Sequence, residues 1–173
     1  MRAARAAVVV AVLAAAVFPE IGRYRAERLL WRMHAAADRL GEEPAPSGEV
    51  EAWMTRGAAD AARALPGDHR PWMIAGEAEF VYRRFAEAAG SMRRAARTGE
   101  RADLDFEIGR ACILSRDFAC GERAIDRAAW ISPAVLSPLP EAGRAVFEKR
   151  TEAWEAQLRA GLLTAPPAAP DFR

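Results

Sequence analysis

Two cysteines, two histidines, one lysine and no asparagine occur in a chain of 173 residues, and each scarcity removes a class of function. Cys112 and Cys120 are too few for a disulfide framework and show no metal-site spacing, neither C-x-x-C nor the haem-attachment variant. His34 and His69 stand apart from each other and from any Ser or Cys with a carboxylate behind it, so no hydrolytic triad is legible. No glycine-rich phosphate loop occurs. Asp103 and Asp105, two positions apart on a helix, point away from each other and cannot share a metal. Glu148, Glu152 and Glu155 share a face with Arg159, the pattern of solvated helical ion pairs. An excess of one charge is also missing. Lys+Arg 25 against Asp+Glu 24 leaves +1, which excludes the strongly basic face of a nucleic-acid binder. The sequence thus predicts no enzyme, no cofactor, no metal, no nucleic-acid partner and no small-molecule substrate.

What is present is apolar and helical. Apolar residues make up 51% and charged residues 28%, the balance of a folded chain. The length suits one domain or a short helical array. The basic residues are nearly all Arg and Ala is abundant, the usage of a GC-rich bacterial genome. No stretch alternates apolar and polar like a strand, so the expected fold class is all-α.

The first 22 residues read as a membrane segment. Arg2 and Arg5 precede an unbroken apolar run, Ala6 to Phe18, and Arg23, Arg25, Arg28 and Arg32 follow it. A basic start before a short apolar run describes either a cleaved signal peptide or a retained signal anchor. Ala3 to Gly22 reaches the roughly 20 residues that a bilayer core requires. The helix that follows so closely favours retention, which makes the chain a single-pass membrane protein. The arginines on the two flanks argue for a cytoplasmic domain, and the signal-like start argues for export. The expectation adopted is a periplasmic helical domain.

Residues 23–40 then read as a juxtamembrane helix with Leu30, Met33, Ala37 and Leu40 on one face. The Pro-rich stretch 41–49 reads as a linker, 50–163 as a helical domain and 164–173 as a disordered tail. Within the domain a helix fits Val50 to Leu65, another begins near Arg70-Pro71, and a last one starts at Ser137-Pro138 and runs to about Gly161. That last helix carries Phe147, Trp154 and Leu158 along one stripe.

The domain contains an internal repeat. A shift of 33 residues places Gly76 on Gly109, Phe85 on Phe118, Ala88 on Gly121, Met92 on Ile125 and Ala95 on Ala128. Small residues recur where two helices of a hairpin would cross, and large apolar residues recur between them. These positions resemble the tetratricopeptide repeat family. The second unit matches its pattern with Gly109, Cys112, Phe118, Gly121, Ile125, Ala128 and Pro133. The first matches with Trp72, Gly76, Phe85, Ala88 and Ala95, but has Glu100 where the family has Pro. The helix at Val50–Leu65 reads as a weaker half-unit, and it and the last helix are expected to cap the array.

The resemblance implies a concave groove lined by the first helix of each repeat and used to bind other proteins. Carried over by register, its residues are Arg70, Met73, Glu77 and Phe80, then Asp103, Phe106, Arg110 and Ile113. The chain's own flanking helix is the alternative occupant. The Asn and Lys pattern with which some members of the family clamp a peptide C-terminus is absent.

Cys112 and Cys120 fall symmetrically about a turn at Ser115–Arg116, so they face each other across the second hairpin. In an oxidising compartment they form a disulfide; otherwise they are two small buried apolar residues. A bond closing so short a loop contributes less than the ~3 kcal/mol expected for about 15 residues. The function expected from all this is a membrane-anchored scaffold or assembly factor of the bacterial envelope. The alternative is a structural subunit of a larger membrane complex.

Overall fold

Apolar residues spaced three and four apart, separated by Gly, Pro and Arg-rich turns, fold into seven α-helices among the described residues. The computed structural model describes residues 2–40 and 47–168, and the side chains within them except at 2–14 and 16. The helices are α1 (Arg2–Leu40), α2 (Gly48–Ala64), α3 (Arg70–Val81), α4 (Phe85–Ala96), α5 (Ala102–Leu114), α6 (Phe118–Ile131) and α7 (Glu141–Arg159). A 3-10 turn, Pro133–Leu136, joins α6 to α7. Among the described residues no strand forms, and the chain is all-α.

Each helix packs on the next in chain order, and α1 also reaches α3. The interior is therefore divided into three consecutive clusters, as in an array stabilised by nearest neighbours. The first joins Ala26, Leu30, Met33 and Leu40 of α1 to Met54 and Ala58 of α2 and Ile74 and Ala78 of α3. The second joins Ala88, Met92 and Ala95 of α4 to Leu104, Ile108 and Cys112 of α5 and Ala124 of α6. The third holds Phe106, Ile125, Ala128 and Leu136, with Phe147 of α7 packed against it. In α7 only Thr151 is fully buried, while Phe147, Trp154 and Leu158 are half-buried. It is a thin cap.

Both central hairpins turn in the same way. Tyr82 and Ser115 end their helices, and the next residues, Arg83 and Arg116, take positive φ of 60° and 69°. The N–H of Arg84 donates to the carbonyl of Glu79 at 2.8 Å, and that of Asp117 to Cys112 at the same distance. Arg83 N–H donates to Phe80 and Arg116 N–H to Ile113, each at 3.0 Å. These paired bonds satisfy the last free carbonyls of a helix through a left-handed residue, a place glycine usually takes. The third turn of this kind, at the end of α7, does use glycine, Gly161 at φ 70°.

Several boundaries differ from the sequence reading. No break separates residues 22 and 23, because α1 runs unbroken through Pro19. The segment expected as a juxtamembrane helix is the first helix of the array, held by α2 and α3 through Ala26, Leu30, Met33 and Leu40. The domain opens at Gly48, where Glu49 and Glu51 in the first turn complement the helix dipole, so the expected linker is shorter by two residues. Its residues 41–46 lie outside the described residues. The last helix starts at Glu141 because prolines at 138 and 140 cannot donate to an earlier turn. Of the expected tail, 169–173 lie outside the described residues, and before them the carbonyl of Pro167 accepts a bond from Arg127 of α6 at 3.0 Å.

Among the described residues no helix is long and apolar enough to cross a membrane. The run from Ala6 to Phe18 falls mostly where side chains are not described.

Candidate interaction groove

Residues at positions i, i+4 and i+7 of a helix share one face. In α3 these are Met73, Glu77 and Phe80, and α5 presents Asp103, Phe106 and Arg110 beside them. Together they line a groove of about 590 Å³, to which Val135, Ser137 and Pro138 after α6 also contribute. Met73 and Glu77 also belong to a second hollow of about 330 Å³ between α3 and α1, where Trp31, His34 and Arg70 stand. The two hollows share Met73 and Glu77 of α3 and lie on either side of them. The result is one trough across the first helices of three successive pairs.

Of the eight residues expected in the groove, the structure brings seven together. Six line the larger hollow and Arg70 lines the smaller. Phe106 is 4% exposed and serves as floor, not as a contact surface. Ile113 does not belong: its side chain packs over Gly121 on α6, where a Cβ would meet it. The helical register turns it toward α6, so the groove assignment of Ile113 is corrected. Trp31 and His34 were missed because residues 23–40 read as a segment beside the membrane. In the sequence Trp31 stands beside Arg28 and Arg32 on the polar side of that helix, the one signal available, and in the structure it is 74% exposed. α7 packs on α6 and, among the described residues, nothing from it lines either hollow.

The charges around the trough are mostly paired. Arg70 binds Asp68 and Glu27, each at 2.6 Å, and the first contact holds the Asp68 carboxyl below its usual range. Arg101 binds Asp103 at 2.6 Å, and Arg110 binds Glu107 at 2.8 Å while its guanidinium lies 5.0 Å over the Phe80 ring. Such exposed pairs add little stability, but they orient the side chains. Glu77 differs. It has no ion pair among the described residues, and it opens into both hollows. Loss of hydration between the helices pushes its carboxyl above the usual range, opposed by His34 and aided by Asp38 and Glu107. The trough therefore offers thioether and aromatic surface around one exposed carboxylate that stands outside any ion pair among the described residues, with His34 acting on it.

Away from the groove, Cys112 and Cys120 are joined across α5 and α6 with Cα atoms 5.8 Å apart, within the range a disulfide requires. With Asp117 they form the one cluster of three possible metal-binding groups among the described residues. Asp105 of α5 is fully buried and neither carboxyl oxygen has a hydrogen-bond partner. Burial, then the neighbouring Glu100 carboxylate, pushes it up to about 7.

The chain matches no protein-family model, no curated protein and no solved structure.

Proposed function

We propose that this chain is a non-catalytic docking protein of the bacterial envelope, similar in plan to tetratricopeptide repeats, that holds a segment of a partner protein in the trough across α1, α3 and α5. The observation that carries the reading is Glu77, an exposed carboxylate outside any ion pair among the described residues, set among Met73, Phe80 and Val81 where the two hollows meet. A peptide that places a basic residue beside an apolar one would satisfy both features. The repeated hairpins, each crossing at a glycine and turning through a left-handed arginine, support the family resemblance. In this reading the N-terminal apolar run anchors the protein in the membrane as a single-pass segment and leaves the helical domain in the periplasm.

Panning a random peptide library on the full-length chain tests this. Enriched peptides should carry Arg or Lys next to an apolar residue and should bind at least tenfold more weakly to Glu77→Lys, measured by fluorescence anisotropy. Peptides whose binding survives both Glu77→Lys and Val81→Asp would sink the reading.

One observation favours the structural-subunit alternative. Val17, Phe18, Ile21 and Tyr24 of α1 are exposed, ahead of the part of that helix held by α2 and α3. A chain that aggregates on its own yet is stable in a larger membrane assembly would support that role.

A further inference from the structure

A cation set in the protein interior ordinarily has an anion beside it, because desolvating an unpaired charge is costly. Arg93, half-buried on α4, has no carboxylate partner among the described residues, and its Nε is buried without a hydrogen-bond acceptor. One repeat later the equivalent position holds Asp126, which does find a counter-charge, Arg150 of α7 at 3.3 Å. The Nη2 of Arg93 instead donates to both sulfurs of the cysteine pair, to Cys120 Sγ at 2.8 Å and to Cys112 Sγ at 3.2 Å. A disulfide sulfur is neutral and a weak acceptor, whereas a thiolate is the anion this guanidinium lacks.

The surroundings of Cys120 act in the same direction. It lies in the first turn of α6, where the free N–H groups of a helix favour negative charge, and its own N–H donates to Asp117 Oδ1 at 3.1 Å. Asp117 is the carboxylate of this cluster and opposes a thiolate, but it is exposed and one oxygen is committed to that cap. The guanidinium against both sulfurs argues against a metal cation among Cys112, Asp117 and Cys120.

We propose that Cys112 and Cys120 form a thiol–disulfide exchange site for low-molecular-weight thiols, poised toward its reduced form by Arg93. The inference rests on this cluster and not on the docking reading. Cys120 is itself only 5% exposed and lies just under the α5–α6 turn, whose residues Arg116, Asp117, Phe118 and Ala119 are all exposed, so an incoming thiol enters as that turn opens. A thiolate attacks Cys120 Sγ, forming a mixed disulfide. The bond between the cysteines breaks, and its electron pair leaves on Cys112 Sγ beside Arg93. A second thiolate attacks the small molecule's own sulfur in the mixed disulfide and releases Cys120. Two thiols are oxidised to one symmetrical disulfide and the protein pair is reduced. Of the two protons the thiols gave up, one returns to a cysteine and one goes to solvent while Arg93 holds the remaining thiolate.

The chain has no other cysteine, so both readouts are unambiguous. The full-length protein is equilibrated in reduced and oxidised glutathione, and the oxidised fraction is read by mass after alkylation. Arg93→Met should shift the equilibrium toward the disulfide at least tenfold, and Arg93→Lys should recover most of that shift. In the reduced wild-type protein, thiolate absorbance at 240 nm should titrate well below the roughly 8.5 of an ordinary thiol. An unchanged equilibrium in a folded Arg93→Met protein would overturn the proposal. If that variant does not fold, thiols of the wild type titrating at the ordinary value would overturn it.

Discussion

In the hairpin of α3 and α4 the helices cross at Gly76, where an added Cβ would stand 2.8 Å from the Met92 Cγ and 3.3 Å from the Ala88 carbonyl oxygen. In the hairpin of α5 and α6 they cross at Gly109, where it would meet the β-branched Ile125 and the Gly121 carbonyl oxygen at 3.1 Å. The second crossing is tighter on both sides, since Gly121 in turn admits Ile113. The two hairpins repeat one backbone frame down to the bonds of the turn, yet they differ in what the frame holds. Where the first has Trp72 under the Arg94 guanidinium at 4.8 Å, the second has the buried, unpartnered Asp105. Where the first has Glu79, the second has Cys112. A repeat conserves the crossing distance; the residues around it decide whether a pair can yield, titrate or react.

The largest expected effect is on pH dependence, where Asp105 of the second hairpin should outweigh Glu79, the buried carboxyl of the first, which burial also raises. The Asp105 carboxyl lies at about 7 in the folded chain, against an ordinary value of 3.8. A folded-state value raised in this way gives a contribution that is fully present below pH 4 and is lost as pH rises through 7. Asp68 and Glu100, both lowered, act in the other direction only as pH falls below about 4. Stability to urea should therefore fall between pH 5 and 8. Asp105→Asn should flatten that slope and stabilise the protein at pH 8 by about 2–4 kcal/mol. A slope that survives the substitution would assign it to another group.

The crossings themselves come next. Gly109→Ala should cost about 2 kcal/mol, because neither Ile125 nor the Gly121 backbone can move far. Gly76→Ala should cost less than about half of that, since Met92 is flexible. Equal losses in urea melts would mean that the two crossings are equally tight. Smaller again are the turns. Arg83→Gly and Arg116→Gly should each stabilise by about 0.5–1 kcal/mol, because both arginines hold a left-handed backbone that glycine adopts without strain. A gain in one hairpin alone would show that the turns are not equivalent. Smallest for stability is Glu77→Lys, expected to stay within about 0.5 kcal/mol while weakening peptide binding at least tenfold.

Much of the frame was legible because it depends on local periodicity. The 33-residue shift that placed Gly76 on Gly109 and Met92 on Ile125 describes the contacts at both crossings. The eight groove positions came from the tetratricopeptide resemblance; seven of them line the two hollows, and Ile113, near the end of α5, turns toward α6. Trp31 and His34 were not legible, because a segment next to an apolar run reads as membrane-proximal until its packing on α3 is seen. The left-handed turns were hidden as well, since arginine is not the residue that signals them.

By itself the sequence determined that the chain is helical, that two of its hairpins are copies, and that Cys112 and Cys120 face each other across one of them. These follow from the period of the helix and from small residues at fixed spacing, which act over a few turns. Only the tertiary structure decided that residues 26–40 belong to the array, that Glu77 lies where two hollows meet, that Asp105 is sealed from water and that Arg93 reaches both sulfurs. Those outcomes depend on which side chains from distant turns share the same desolvated space, and charge in such a space answers to its neighbours rather than to its place in the chain.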